Sequence, residues 1–245
     1  MVETPASFKV LHGVFSFTFI SFLSCTLYIW MLKRQSDNTN VRHTKTLAGI
    51  VTFIAAYHYL MILLSFNKAY KVQNGTVKES GSPFNDDYRY VDWILTVPLL
   101  LIELLYCANH TNPTSTDEEM YSQMVELGFA SVLMIALGYP GELYKNDFKT
   151  RMIWWSLSMI PFIYIIVRIY QIIPWSSQDK ELSRIRDLLV VIWFVYPIIY
   201  LLPDKYIVAS QISYSGADLM AKAVFGLLVV NYVSKPKQTT PSPTT

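Results

Sequence analysis

Seven long apolar stretches, each separated from the next by a polar connector, constrain the fold of this 245-residue chain more than any other feature. About 20 apolar residues are needed to cross the hydrocarbon layer of a bilayer. Backbone polar groups inside lipid must be satisfied within their own segment, so stretches of this length predict helices. We therefore predict an all-α membrane protein, a seven-transmembrane-helix bundle. We place the spans at residues 10–32, 46–66, 89–107, 120–139, 149–172, 186–202 and 208–233.

The composition agrees with a membrane environment. Charged residues make up 16% of the chain, against about 25% in a typical soluble domain. The net charge of +2 gives no strong field that would attract nucleic acid, so we expect no nucleic-acid partner. The two cysteines, Cys25 and Cys107, belong to apolar stretches and indicate neither a disulfide framework nor a metal site. The lipid bilayer is the partner that the composition predicts.

The connectors and the tail complete the domain organisation. The longest connector, residues 67–87, contains Asn74-Gly75, a strong signal for a short β-hairpin between the second and third helices. Residues 1–233 are predicted to form one seven-helix domain. The tail, residues 234–245, is rich in Lys, Pro, Thr and Ser and is predicted to be disordered.

The third span contains three ionisable side chains, which cost at least a few kcal/mol at bilayer depth and are therefore candidates for function. Asp92, Thr96 and Glu103 follow one another at spacings of 4 and 7 residues, so they share one helix face. Asp92 and Glu103 should lie roughly 16 Å apart along the axis. Arg89 precedes Asp92 by about one turn. The pattern predicts a line of proton-carrying groups with an apolar gap.

The seventh span contains Asp218 and, one turn later, Lys222. Lys222 lies too far from either interface to extend its ammonium into water. A lysine in this position must be paired, deprotonated or covalently modified, and a desolvated lysine can condense with an aldehyde. Asp218 and Asp92 could then serve as counterions. A structural network of salt bridges is the alternative, although charges at helical spacing in separate spans favour a functional site.

Short motifs in three spans carry a family resemblance. The third span reads RYVDW at residues 89–93 and TVPLL at residues 96–100, followed by Glu103. The seventh reads DLMAK at residues 218–222, and the sixth holds Trp193 with the pair Tyr196-Pro197. These motifs resemble those of the microbial (type 1) rhodopsins, and of proteorhodopsins in particular. The resemblance extends through all seven spans in order.

This resemblance implies a retinal protein with defined roles for the buried charges. Lys222 would bind all-trans retinal as a Schiff base. Asp92 would be the primary counterion and the proton acceptor. Asp218 would be the second counterion, and Arg89 would stabilise the cluster. Glu103 would return a proton to the Schiff base from the cytoplasmic side.

The resemblance also implies a tuning residue and a pocket. His58 resembles the histidine that pairs with the acceptor carboxylate in proteorhodopsins and tunes its pKa. An apolar Leu100 goes with green absorption. Trp155 stands where carotenoid-antenna rhodopsins have a glycine, so we expect no carotenoid antenna. The predicted retinal pocket comprises Trp93, Thr96, Leu100, Met134, Gly138, Trp155, Ser158, Phe162, Trp193, Tyr196 and Pro197.

The trio of Asp92, Thr96 and Glu103 implies a light-driven outward proton pump, and not an enzyme. One alternative is a photosensory rhodopsin that signals to a partner protein, which would not need Glu103. Another is a light-gated ion channel, against which the apolar residues 99–101 argue because a channel needs a polar lining. Known chloride and sodium pumps would carry other residues at positions 92 and 103. A receptor or transporter without retinal is the remaining alternative.

We expect an integral protein of the cell membrane with its N-terminus outside. On that orientation the inner connectors hold nine Lys or Arg residues and the outer ones eight, a difference too small to settle the matter by the positive-inside rule. The resemblance also implies a homo-oligomer, a pentamer or a hexamer. A proton-release group is not evident, because Asp204 is the one acid near the outer ends of the last two spans.

Overall fold

The computed structural model of the chain describes residues 4–32, 39–111, 116–144 and 147–235. Within these ranges the chain forms seven long helices and one β-hairpin, which confirms the predicted fold class. Ser234 and Lys235 end the last helix, and the rest of the predicted tail, residues 236–245, lies outside the described residues. The helices are α1 Pro5–Met31, α2 Thr39–Ala69, α3 Tyr88–Thr111, α4 Asp117–Leu143, α5 Phe148–Ile172, α6 Lys180–Tyr200 and α7 Ile207–Ser234.

Helix α6 differs from the predicted span in where it begins. The other six helices are long and apolar enough to cross a membrane. Helix α6 begins at Lys180 rather than near residue 186, and its first eight positions hold five charged residues. Arg186 is nevertheless buried, because its guanidinium donates to the carbonyl oxygen of Ile173 at 2.5 Å and pairs with Asp187. The charged first turns therefore extend the helix beyond its apolar part.

Polar side chains at the ends of the connectors cap the first turns of α4, α5 and α6. Thr116 and Glu119 form a reciprocal capping box at the start of α4, which satisfies two backbone N–H groups that the helix itself cannot bond. Asp147 caps α5 by accepting hydrogen bonds from the backbone of Lys149 and Thr150. Asp179 caps α6 in the same way. Each cap lies directly before an apolar helix and fixes where it begins.

The predicted hairpin is present in the connector between α2 and α3. Strands β1 (Tyr70–Gln73) and β2 (Thr76–Glu79) pair antiparallel, with Val72 opposite Val77. Asn74 and Gly75 join them with φ angles of 50° and 74°. A two-residue hairpin turn of this type requires positive φ at both positions, which Asn and Gly adopt most readily.

Helix α7 contains a π-helical turn, Leu219–Val224, which includes Lys222. Such wide turns are uncommon and often occur at functional sites. The regular spacing assumed for the seventh span could not predict it. Helix α7 packs between the two halves of the apolar core: Phe225 and Val229 belong to the half formed with α3 to α6, and Ala223 and Val230 to the half formed with α1 and α2.

Candidate functional site

The centre of the bundle holds an ammonium group between two carboxylates. Nζ of Lys222 lies 2.5 Å from Oδ1 of Asp218 and 2.7 Å from Oδ2 of Asp92. The three side chains are at most 1% exposed. One positive charge thus faces two negative charges in an interior from which water is excluded, where such charges must be paired. The structure therefore brings together three of the predicted site residues from two different helices.

Asp218 is held in place by donors from three other helices. Its carboxylate accepts hydrogen bonds from the hydroxyl of Tyr59 at 2.7 Å, from Nε1 of Trp93 at 3.0 Å and from the hydroxyl of Tyr196 at 2.9 Å. Hydrogen bonds to a carboxylate favour its charged form. Asp218 is therefore arranged to remain an anion.

The carboxylate of Asp92 has fewer hydrogen-bond donors around it than that of Asp218. Apart from the Lys222 ammonium, its carboxylate accepts no hydrogen bond from any residue that the structure describes. Nδ1 of His58 lies 3.7 Å from Oδ1 of Asp92, and the same ring nitrogen lies 2.9 Å from the carbonyl oxygen of Ile54. The structure thus places His58 beside the predicted acceptor. Of the two carboxylates, Asp92 is the one that loses fewer hydrogen bonds when it takes up a proton.

Arg89 supplies the second positive charge. Its side chain is 3% exposed, and its Nε lies 3.8 Å from Oδ2 of Asp218. The guanidinium carbon lies 5.1 Å from the centre of the Tyr214 ring and 5.7 Å from that of Tyr59, distances at which a cation is attracted to an aromatic face. Arg89 and Lys222 together balance the two aspartates.

Glu103 lies further along α3, apart from this cluster. It is fully buried, and neither carboxyl oxygen has a hydrogen-bond partner among the described residues. A Cβ atom added to Gly226 would lie 3.9 Å from its Oε1, which places the Glu103 carboxyl close to the backbone of α7. Leu100 and Leu101, both 1% exposed, lie between Asp92 and Glu103 along the chain. An unpaired carboxylate in such a place costs several kcal/mol, which favours the neutral acid.

A largely apolar pocket begins at Lys222 and extends between α3, α4, α5, α6 and α7. It encloses about 800 Å³, the open space at its mouth included. Ten of the eleven predicted pocket residues line it: Trp93, Leu100, Met134, Gly138, Trp155, Ser158, Phe162, Trp193, Tyr196 and Pro197.

Thr96 is the exception among the predicted pocket residues. It is fully buried, but it is not among the residues that line the pocket. Its hydroxyl donates to the carbonyl oxygen of Asp92 at 2.8 Å, within α3 itself. This bond agrees with the shared face of Thr96 and Asp92, and the contact of Thr96 with a ligand stays a prediction.

Three polar side chains in the pocket wall donate to backbone carbonyl oxygens. Nε1 of Trp155 donates to the carbonyl oxygen of Pro197 at 3.1 Å, and the Ser158 hydroxyl donates to that of Met134 at 2.8 Å. The Tyr200 hydroxyl donates to the carbonyl oxygen of Gly138 at 3.0 Å. The interior is thus apolar except at the lysine. An extended apolar molecule with an aldehyde at one end, such as retinal, fits this combination.

Several site residues were not predicted. Gln211 and Tyr214 contact the guanidinium of Arg89, and both lie on the face of α7 that carries Asp218, at spacings of 3 and 4 residues. That spacing was the signal that could have identified them. No comparable signal identifies Tyr59, which contacts Asp218 from α2. The further pocket-lining residues are Tyr90, Val97, Ile135, Met159, Tyr200, Tyr214 and Ala221.

Comparisons with known proteins agree with this geometry. A family model described as bacteriorhodopsin-like protein matches residues 11–235. The green-light absorbing proteorhodopsin of a gamma-proteobacterium is 26% identical over 234 residues, which cover 87% of this chain and 82% of the relative. Bacteriorhodopsin of Halobacterium salinarum is 26% identical over 220 residues, which cover 84% of this chain and 77% of the relative.

A solved structure is similar over nearly the whole chain. The crystallographic structure of xanthorhodopsin, described as a light-driven ion pump with dual chromophore, superposes with a TM-score of 0.84. It is 36% identical in sequence, and the match covers 94% of each chain.

Proposed function

Because the chain belongs to the bacteriorhodopsin-like family of integral membrane proteins, we propose that it is a light-driven pump that moves protons outward across the cell membrane. Lys222 would hold all-trans retinal as a Schiff base. Asp92 would accept a proton, Asp218 and Arg89 would balance the charges, and Glu103 would resupply the proton. The names of the similar proteins, which include a proteorhodopsin, a bacteriorhodopsin and a light-driven ion pump, support this proposal.

One observation carries the proposal: the amine of Lys222 lies between two carboxylates at the end of an apolar pocket. When bound, retinal supplies a light-driven change in shape and in basicity at the lysine nitrogen. The aromatic residues Trp93 and Trp193 line the pocket and would orient the apolar chain. Nζ of Lys222 would release its proton to Oδ2 of Asp92, 2.7 Å away. Asp218 would remain charged, because three neutral donors hold it.

The position of Glu103 gives the transfer a direction. With the N-terminus outside, α3 runs inward, so Asp92 faces the outer half of the membrane and Glu103 the inner half. Burial without a partner favours the neutral form of Glu103, which therefore has a proton to give. The buried side chains of Leu100 and Leu101 would keep the inner and outer halves apart between transfers. Net movement is then one proton outward.

Two other functions are less well supported. A photosensory rhodopsin that signals to a partner would need Lys222 and Asp92 but no buried acid at Glu103. A light-gated channel would need a polar lining, and the leucines between Asp92 and Glu103 oppose it. We also propose that the protein binds no carotenoid antenna, because the indole of Trp155 occupies the wall of the pocket and donates to the carbonyl oxygen of Pro197. The family resemblance further leads us to propose a pentamer or a hexamer.

A light-induced pH change in a suspension of cells that make the protein tests the pump. We expect the medium to acidify on illumination, and we expect a protonophore to abolish the signal. Asp92→Asn should abolish it as well. Asp147→Asn is the matched control, since the same change at a helix cap should leave pumping intact because Asn also caps helices.

The alternatives predict other outcomes of the same experiment. A coloured protein that responds to light without any pH change would contradict the pump and favour a sensor. A steady photocurrent whose direction follows the applied voltage would favour a channel. A colourless purified protein after addition of retinal would contradict the chromophore itself.

A further inference from the structure

On the side of Arg89 that faces away from Asp218, the uncharged side chain of Gln211 links Arg89 to Asp86. Its Nη2 donates to Oε1 of Gln211 at 3.0 Å, and Nε2 of Gln211 donates to Oδ2 of Asp86 at 2.5 Å. Nη1 of Arg89 also lies 3.9 Å from Oδ2 of Asp86. The three side chains form a continuous chain from the buried charge cluster to the connector before α3. We call Asp86 and Gln211 the outer clamp.

The outer clamp and Asp218 contact Arg89 from opposite sides. Nε of Arg89 is 3.8 Å from Asp218, and Nη1 is 3.9 Å from Asp86, so the guanidinium lies between an inner and an outer carboxylate at nearly equal distances. Gln211 is 2% exposed, whereas the side chain of Asp86 is 18% exposed. A buried amide that bridges two charged groups is satisfied at both ends and adds no charge of its own.

We propose that Asp86 and Gln211 are positioning residues that hold Arg89 between Asp86 and Asp218 and thereby set the pH at which Asp92 takes up a proton. This inference rests on the proposed function, in which Asp92 is the counterion of the chromophore. The charge of Arg89 stabilises ionised carboxylates near it, and the clamp draws part of that charge outward. Without the clamp, the guanidinium is free to act on Asp218 and Asp92 alone.

Other charged and titratable groups share this environment, and the test must leave them unchanged. Asp92 is surrounded by groups on α2, α6 and α7 as well as on its own helix, and Arg89 is flanked by two aromatic hydroxyl groups. The groups are His58, Tyr196, Asp218 and Lys222 for Asp92, with Arg89 one turn before it on α3, and Tyr59, Asp86, Tyr214 and Asp218 for Arg89.

The test is a pH titration of the visible absorption band of the purified, retinal-bound protein. Protonation of Asp92 changes the charge beside the chromophore, so the band moves at a defined midpoint pH. Asp86→Asn removes a negative charge and frees Arg89, and both effects favour the ionised form of Asp92. We expect the midpoint to fall by about half a unit to one unit, mainly because the released guanidinium acts more strongly on Asp92. The direct Coulomb effect of the lost charge, which acts over roughly 10 Å and is reduced by water and salt, is the smaller part.

Asp87 offers a matched control for the same charge change at the next position. The main-chain carbonyls of Asp86 and Asp87 both accept bonds from the first turn of α3, but the side chain of Asp87 accepts from the Tyr139 hydroxyl instead of Gln211. Asp87→Asn should move the midpoint by less than half as much as Asp86→Asn. Asp86→Glu, which keeps the charge, should stay near the wild-type value.

Gln211→Leu tests the bridge without any change of charge. When Gln211 is already Leu, the shift of the midpoint pH caused by Asp86→Asn should be at most half of its value in the wild type. The reason is that Asp86 and Arg89 would no longer be coupled through the Gln211 amide. The visible band itself reports that each variant has folded. Equal shifts for Asp86→Asn and Asp87→Asn, or an unchanged Asp86 effect in the Gln211→Leu background, would overturn the clamp while leaving the pump intact. A wild-type band that does not move with acid would overturn the role of Asp92 and, with it, the clamp.

Discussion

Asp218 and Asp92 both contact Nζ of Lys222, at 2.5 and 2.7 Å, but only Asp218 is also held by neutral donors. The difference matters because two carboxylates close together compete for one proton, and the better supported anion stays charged. The site therefore contains a fixed counterion and a second carboxylate that can change its charge. The asymmetry comes from the helices around α7, since the donors to Asp218 belong to α2, α3 and α6.

Replacement of Lys222 should abolish pigment formation. Lys222→Arg retains the positive charge between the aspartates but cannot form a Schiff base, so we expect no visible band after retinal is added. Lys235→Ala is the control, because Lys235 pairs with Glu181 on the exposed surface and should leave the pigment unchanged. Absorption spectra of the purified variants decide the matter. A visible band in Lys222→Arg would show that retinal is attached elsewhere.

Replacement of Glu103 should slow the recovery of the protein after a flash more than the first steps of its response. Glu103→Gln keeps the shape but has no proton to give, and a positioned proton donor contributes about 10²–10⁴-fold to the rate of transfer. We therefore expect recovery to slow by at least about 10-fold at neutral pH. Time-resolved absorption after a laser flash measures both phases separately.

Glu126→Gln is the matched control for that experiment. Glu126 lies on α4, where its carboxylate pairs with Arg168 at 2.5 Å and is part of neither the Lys222 cluster nor the pocket. Its replacement should leave the recovery rate within about 2-fold of the wild type, since a partly exposed ion pair of this kind contributes about 0.2–1 kcal/mol to stability and is remote from the proton path. If Glu103→Gln recovers as fast as Glu126→Gln, Glu103 is not the proton donor.

The sequence predicted the helices and the buried charges for a physical reason. Runs of about 20 apolar residues leave few structures other than a membrane-spanning helix. A charge within such a run must be paired, which singled out Asp92, Glu103, Asp218 and Lys222 before any contact was known. Helical spacing placed Asp218 beside Lys222, and the structure agrees, with 2.5 Å between them.

Contacts between helices were harder to predict. Spacing along one helix does not reveal which residues of another helix lie opposite, so the contact of Tyr59 on α2 with Asp218 was missed. The π-helical turn around Lys222 also depends on packing rather than on hydrophobic pattern. The early start of α6 at Lys180 follows from the Asp179 cap, which the apolar pattern alone does not reveal. Thr96 was correctly placed on the face of Asp92, yet its hydroxyl bonds within its own helix.

Loss of the Tyr59 hydroxyl should weaken the anchor of Asp218. Tyr59→Phe removes the donor 2.7 Å from the carboxylate without opening a cavity. A hydrogen bond to a charged group contributes about 1.5–3 kcal/mol, so the variant should be less stable by roughly that amount. Tyr57→Phe is the control, because its ring is 55% exposed on the outside of the bundle. Thermal loss of the visible band measures both; equal stability of the two variants would contradict the anchoring role.

A methyl group at Gly141 should destabilise the pocket wall at Tyr200. A Cβ atom there would overlap the hydroxyl of Tyr200, which bonds to the carbonyl oxygen of Gly138, and would lie 3.0 Å from Cβ of Trp154. Overpacking of this kind costs about 1–3 kcal/mol, so Gly141→Ala should lower the temperature at which the visible band is lost. Gly128→Ala, in the same helix but with nothing within 4 Å of the added atom, should be neutral or slightly stabilising, since alanine favours helices over glycine. A Gly141→Ala protein as stable as Gly128→Ala would mean that Tyr200 can move aside without cost and does not fix the pocket wall.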